Sequence, residues 1–230
     1  MSIRAVLLAA VVVAQVAPAP EVKITIDRQA VTAATRDFTF PRVASPVKDD
    51  VGTRAVLRLV DGVSDPNGAP LNAIVDGLWP REEDEPGANF FFNAGTGGGR
   101  FRMDLGSAID LAEVRTYSWH PNTRGPQVYT LYASDGADPK FNASPRDDVD
   151  PVTVGWTLMA SVDTRTPSGD PGGQYAVSVK RTSGVLGRYR HLLFVCAATE
   201  LDDNWGNTFY SEIDVIAAGA GDFPTWTSIR

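Results

Sequence analysis

Apolar and polar residues alternate along this chain in short runs, and glycine and proline interrupt those runs before any helical period can build. Phe101, Met103 and Leu105 share one side of a segment whose other side carries Arg102 and Asp104. Tyr129, Leu131 and Ala133 alternate within residues 128–134, and Tyr175, Val177 and Val179 alternate with Ala176, Ser178 and Lys180. A period of two sends the apolar set to one side of an extended strand. Residues 190–197 are apolar on both sides, as in a central strand. The 21 glycines and 16 prolines supply frequent turns. Many short strands with turn signals between them predict an all-β fold, an antiparallel β-sandwich.

The N-terminus reads differently. Met-Ser-Ile-Arg is followed by an apolar run over residues 5–14 and then by Ala17-Pro18-Ala19-Pro20. One positive charge, a short apolar stretch and small residues after it fit a secretory signal peptide over residues 1–19. The run is too short to span a bilayer. A buried N-terminal strand is the other reading of it. With a signal, the protein is expected to be secreted or periplasmic, and residues 20–230 to form one domain whose first strand holds Val22, Ile24 and Ile26.

The formal charge of −7 argues against nucleic acid as a partner, since such binding rests on lysine and arginine meeting phosphates. It equally disfavours an anionic membrane surface. Cys196 stands alone in an apolar run, so there is no disulfide framework, and a buried small hydrophobe is expected there. Gly95-Thr96-Gly97-Gly98-Gly99 lacks the Lys-Ser/Thr of a phosphate loop and leads into a strand, so a hairpin between residues 90–92 and 101–105 is expected. There is no Gly-x-Ser-x-Gly elbow and no His-Glu-x-x-His, and the only histidines are His120 and His191. No heptad or amphipathic helix points to assembly, so a monomer is expected.

Three long polar connections, residues 61–68, 79–89 and 134–151, separate the strands, and loops of that length on a sandwich are usually functional or disordered. The closing stretch alternates Phe209, Ser211, Ile213 and Val215 against Tyr210, Glu212 and Asp214. Two carboxylates on one face of a last strand place hard oxygen ligands where a cation could tie the end of the domain to earlier loops.

In order along the chain, residues 55–62, the Asp76-Gly77 turn after residues 71–75, residues 101–105 and 114–119, residues 126–136 with Trp156 after them, and Ser211-Glu212-Ile213 form a pattern. That pattern resembles the discoidin or coagulation-factor C-type family, part of the galactose-binding-like group, over residues 38–217. The resemblance implies a jelly-roll-like β-sandwich that binds through loops at one end, commonly as a carbohydrate-binding or adhesion module, with a structural calcium ion. Asp76 and Glu212 are the calcium ligands it implies. The chain departs from the family where Asp76-Gly77 runs into Leu78-Trp79-Pro80 and the acidic Glu82–Glu85 loop instead of a threonine and a tryptophan.

The loop 118–126 concentrates Trp119, His120, Asn122 and Arg124 between two strands. Sugar hydroxyls need planar donors and acceptors, and the sugar C–H face needs an apolar plate, which these residue types supply. Trp119 as a core residue and Arg124 paired with a loop carboxylate is the competing reading. Trp205 is a further candidate stacking platform or a buried ring. The expected role is non-catalytic recognition of a glycan or cell-surface component. The alternative is a structural or adhesive extracellular protein contacting protein partners or the envelope, and a carboxylate-pair hydrolase is a remote third.

Overall fold

The computed structural model describes residues 21–166, 172–200 and 206–219. The expected signal peptide and Trp205 lie outside the described residues. Eight strands follow in chain order: β1 (Val22–Gln29), β2 (Val56–Asp61), β3 (Gly98–His120), β4 (Val128–Ser134), β5 (Thr157–Asp163), β6 (Gly173–Arg181), β7 (Gly187–Ala197) and β8 (Tyr210–Ala217). Every pairing between them is antiparallel. No helix among the described residues is long and apolar enough to cross a membrane.

Strand β3 organises the topology. Its first part, residues 98–104, pairs with β2 on one side and β7 on the other. Its second part, residues 113–120, pairs with β6 and β8. Between them the register breaks after Asp104, where Gly106 adopts a φ of +81° that side-chain-bearing residues rarely take. The chain therefore bends from one layer into the other. One layer reads β2-β3-β7-β4-β5 and the other β1-β6-β3-β8, so the architecture is the expected antiparallel sandwich. The sequence suggested two strands at 101–105 and 114–119, and the structure joins them into one of 23 residues.

Phe101, Met103, Val114, Leu131, Val177, Leu192, Phe194 and Ile213 fill the space between the layers with no exposed surface. Phe101 and Phe194 are register partners and stack at 4.8 Å and 14°. A satellite cluster of Phe38, Val43, Tyr117, Trp119 and Ala176 packs separately. β7 lies between β3 and β4, which accounts for its apolar residues on both sides. β2, read as a first core strand, pairs only with β3 and leaves Val56 and Leu59 exposed while Leu57 packs inward. The glycine run does not close a hairpin against residues 101–105. Phe90 bridges to Tyr210 and Phe92 to Ser64, while Gly98 and Gly99 pair with β7, so close to the Cys196 carbonyl and the Phe92 ring that a Cβ would collide.

The closing strand also departs from simple alternation. Tyr117 pairs with Glu212 but its neighbour Ser118 pairs with Tyr210, so Ser211 is an extra residue, a β-bulge. The bulge turns Tyr210 into the main core beside Ile213 and Val215, although an unbroken period of two would put it with Glu212.

Truncating the stacked pair tests this core. Phe101→Ala is expected to lower unfolding free energy by about 3–5 kcal/mol in urea titrations. Val56→Ser, on the exposed edge, is expected to change it by no more than about 0.5 kcal/mol. Equal effects would contradict the layer assignment.

Candidate functional site

Two sites emerge, one buried and one open. The buried one begins at β8. Glu212 and Asp214 are two residues apart on one face of the strand, and both are fully buried. The segment before β2 folds over that face because Asp50 caps a 3-10 helix, Val51–Arg54, and fastens it to β8. One Asp50 oxygen accepts the Gly52 amide at 2.6 Å and the Val215 amide at 2.8 Å. Ligand oxygens of Asp50, Glu212 and Asp214 thereby lie within 4.8 Å of one another, all buried.

The groups that answer this negative charge are few. Tyr117 Oη donates to Asp214 at 3.3 Å, the Val47 amide approaches at 3.3 Å, and Arg115 stands 3.8 Å away while engaging Glu113 at 2.7 Å. Among the described residues, neither oxygen of Glu212 has a partner at hydrogen-bond geometry, although the Gly77 amide lies near enough to act on its charge. Burial, and then the charges of Asp214, Asp50 and Asp76, push the Glu212 carboxyl up to about 10, with only a small opposing pull from the Gly77 amide. Burial and Asp50 raise Asp214 to about 7, and burial raises Asp50. Three buried carboxylates with two orphaned oxygens suit a hard divalent cation, which takes oxygen ligands.

Asp76, the other candidate ligand, is exposed, and its carboxylate accepts the Leu78 amide at 2.9 Å. It stands close enough to act on Glu212 through its charge, on the far side of Gly77. Gly77 has a φ of +71°, and a Cβ there would lie 2.9 Å from Cα of Lys48. Only glycine lets the 76–79 turn press against residue 48. Asp50 and Asp214 join Glu212 where sequence reasoning named Asp76. Asp214 was legible from the strand alternation, whereas Asp50 was legible only as a polar residue ahead of a short turn.

The open site lies where β3 ends. His120 is the last residue of β3, and the loop after it carries Asn122 and Arg124. Buried polar groups beneath hold that loop. Ser118 Oγ donates to the Gly125 carbonyl at 2.5 Å, Gln127 Nε2 donates to Ser118 Oγ at 3.0 Å, and Thr208 Oγ1 donates to the Pro126 carbonyl at 2.7 Å. The Phe209 amide donates to the Arg124 carbonyl at 2.9 Å. His120, Asn122 and Arg124 then line a cavity of about 530 Å³ with Asp65, Asp84, Phe91 and Phe209.

Inside it, Phe91 and Phe209 stack at 4.0 Å and 11°, and the Arg124 guanidinium carbon lies 4.5 and 4.1 Å from their ring centres. Arg124 Nε donates to the Asn207 carbonyl at 3.3 Å. His120 meets Phe209 edge-on at 4.5 Å. Burial and the Arg124 charge depress His120 to about 4, so the ring is neutral at pH 7. Its Nδ1 accepts the Asn122 amide at 3.2 Å, which leaves the proton on Nε2, 3.7 Å from Asp84. The cavity thus presents a neutral N–H donor, a guanidinium and an amide, backed by two stacked rings that are themselves only 2% and 1% exposed.

Trp119 does not line this cavity. Strand alternation turns it away from His120 into the satellite cluster, where it is 6% exposed and meets Phe38 edge-on at 5.6 Å. Sequence reasoning missed Phe91 and Phe209. The run Phe90-Phe91-Phe92 held a signal, since in an extended segment the middle ring must face away from its neighbours.

No family model and no curated protein matches the chain. Solved structures do resemble it. One is the lectin domain of lectinolysin complexed with Lewis B antigen, 12% identical over 75% of this chain and 99% of that one, with a TM-score of 0.42. A family 32 carbohydrate-binding module from C. perfringens NanJ, in complex with galactose, is 11% identical over 72% of this chain and 96% of that one, with a TM-score of 0.43. A chitosan-binding module of a chitosanase/glucanase from Paenibacillus sp. IK-5 is 12% identical over 74% and 99%, with a TM-score of 0.45.

The carboxylate cluster makes a signed prediction. Glu212 holds its proton more tightly folded, at about 10, than at its ordinary 4.5, and Asp214 at about 7 against 3.8. Their contribution to stability is full below those ordinary values and is lost as pH rises through the folded ones. In chelator, the melting temperature is expected to fall between about pH 5 and pH 10, and Glu212→Gln is expected to flatten most of that fall. A wild-type melting temperature indifferent to pH in chelator would contradict the cluster.

Proposed function

We propose that this chain is a non-catalytic carbohydrate-binding module, exported from the cytosol, whose sugar site is the cavity of His120, Asn122, Arg124, Phe91 and Phe209. The observation that carries the reading is a stacked aromatic pair beside a neutral imidazole N–H donor and a guanidinium held in place by aromatic rings and a carbonyl. The buried rings of Phe91 and Phe209 back the site and hold the Arg124 guanidinium in place, and His120 Nε2 and Arg124 serve the hydroxyl oxygens of a sugar. Asn122 adds an amide that both donates and accepts. The buried bonds from Ser118 and Thr208 fix the loop before ligand arrives, so little ordering cost falls on binding.

Calcium is the cation assigned to the Asp50, Glu212 and Asp214 cluster. Its role there is structural. Bound, it would supply the positive charge that three carboxylates lack and would tie β8 to the segment at residue 50. Because it binds only the folded chain, it stabilises in proportion to the logarithm of its concentration. Millimolar calcium at pH 7 is therefore expected to raise the melting temperature of the wild type and to leave Glu212→Gln unmoved.

A glycan array probed in calcium tests the sugar site. Wild type is expected to bind a defined set of neutral glycans, and His120→Ala and Arg124→Ala are each expected to weaken binding about tenfold or more. Because His120 titrates near 4, affinity should stay level from about pH 5.5 to 8. Trp119→Ala should lower stability instead. A blank array with folded protein, or binding that both substitutions leave intact, would overturn the reading.

A further inference from the structure

The outer face of the layer containing β2, β3 and β7 carries more positive charge than its carboxylates answer. Arg58 of β2 and Arg102 of β3 are register partners, so they stand side by side on that face. Asp104 shares it two residues further on, with His191 of β7 opposite. Like charges directly opposite each other destabilise a strand pair. Arg102 is nevertheless only 8% exposed. Its Nε is enclosed without a hydrogen-bond partner, and among the described residues its guanidinium makes no hydrogen bond or ion pair. Its two terminal nitrogens are not enclosed. Arg58 is exposed and also has no ion-pair partner among the described residues.

The neighbouring acceptors are committed elsewhere. Asp104 accepts Arg190 Nε at 2.8 Å, Arg190 Nη2 at 3.1 Å and the Gly106 amide at 3.0 Å. Arg190 keeps its Nη1 for another partner. Asp61, further along β2, accepts Arg146 at 3.3 Å and the Asp147 amide at 2.7 Å. The segment 141–149 crosses the same face, but its Pro145, Arg146 and Val149 carbonyls accept Arg100, and Phe141 stacks on His191 at 5.0 Å. Burial weighs most against the Arg102 cation; Asp104 favours it, and Arg58 and Arg190 oppose it. Burial holds His191 below its ordinary range, so the ring adds no charge at pH 7. Three guanidinium groups thus face one carboxylate.

A surplus of two positive charges suits a dianion, and guanidinium groups brought together from three strands suit a group with at least three acceptor oxygens. A phosphate monoester has both properties at neutral pH. A sulfate ester has the oxygens with a single charge, and a carboxylate has one charge and two oxygens. We infer that Arg58, Arg102 and Arg190 form a binding site for a phosphate monoester on the flank of the sandwich. None of these residues lines the His120 cavity, so the site is separate from the one assigned to neutral sugar.

Calorimetric titration of the whole chain at constant ionic strength, with calcium kept micromolar, tests this. The probes are inorganic phosphate, glycerol 3-phosphate, methyl sulfate and acetate. Both phosphates are expected to bind saturably, and the tighter of them tells whether free phosphate or an organic ester is the natural source. Methyl sulfate and acetate are each expected to bind about tenfold or more weakly than phosphate. Arg102→Gln should weaken phosphate binding about tenfold or more, and Arg102→Lys should restore part of it. Arg58→Gln should weaken it about threefold or more, and because Arg58 is exposed this variant keeps the test valid if Arg102→Gln unfolds. Lys23→Gln, on exposed β1, removes the same charge elsewhere and should leave binding within about twofold. Thermal melts confirm that each variant is folded. Folded protein that binds neither phosphate would overturn the inference. So would phosphate binding that the Arg58 and Arg102 substitutions spare, or that Lys23→Gln weakens as much as they do.

Discussion

The fold hangs on one strand that belongs to both layers. β3 pairs with β2, β7, β6 and β8, and its bend at Gly106 fixes how the two layers sit over each other. The same strand delivers chemistry. Arg115 and Tyr117 reach the carboxylates of β8, and His120 at its end opens the loop cavity. Even residues of its second half, Thr116 and Ser118, meet Gln127 and the Gly125 carbonyl, so the interior becomes polar where it approaches the loops. A polar interior whose groups are mutually bonded resists rearrangement, because each partner left alone would cost its full desolvation.

A second constraint acts at Ser211. Strand faces exchange when one residue is inserted, and the bulge there separates two jobs that strict alternation would merge. Downstream of it, Ile213 and Val215 face the core while Glu212 and Asp214 face the segment around residue 50. Upstream, Tyr210 is directed into the core and Phe209 is left to stack on Phe91 in the open cavity. One inserted residue thus lets this stretch serve a core, a charged cluster and the ring stack behind the open cavity.

These two devices mark the limit of what the sequence discloses. Strands with clean alternation were legible: residues 128–134 coincide with β4, and the apolar run at 190–197 falls in β7 between two partners. The loop holding His120, Asn122 and Arg124 was legible as polar types between strands, and the structure brings those three to one cavity. Trp119 was not, because a ring next to His120 in sequence is on the opposite face in a strand. Alternation set Phe209 on the side of Ile213 and Val215, and nothing in a period of two announces a bulge. Asp50 meets Glu212 across most of the chain, and only the pairing of β8 with β3 and the cap at Val51 bring them together.

The buried carboxylates connect the regions that the strands leave apart. Apolar residues of similar volume would stabilise this part of the core better than three acids that share one arginine, itself engaged with Glu113. Carboxylates are therefore useful here only in a state that cancels their charge. A proton can do so, but it bridges nothing. A divalent cation would cancel charge and would also reinforce the link from β8 to Asp50, two residues from Lys48, against whose backbone the 76–79 turn packs. Residue 48 and that turn form part of the wall of the cavity lined by Trp79. Filling the cluster would consequently stiffen that wall from beneath, whereas the His120 cavity is held by Ser118, Gln127 and Thr208, none of which touches the cluster. Removing a cation from the cluster should thus soften the cavity lined by Trp79 first and reach the His120 cavity only when the sandwich itself begins to open.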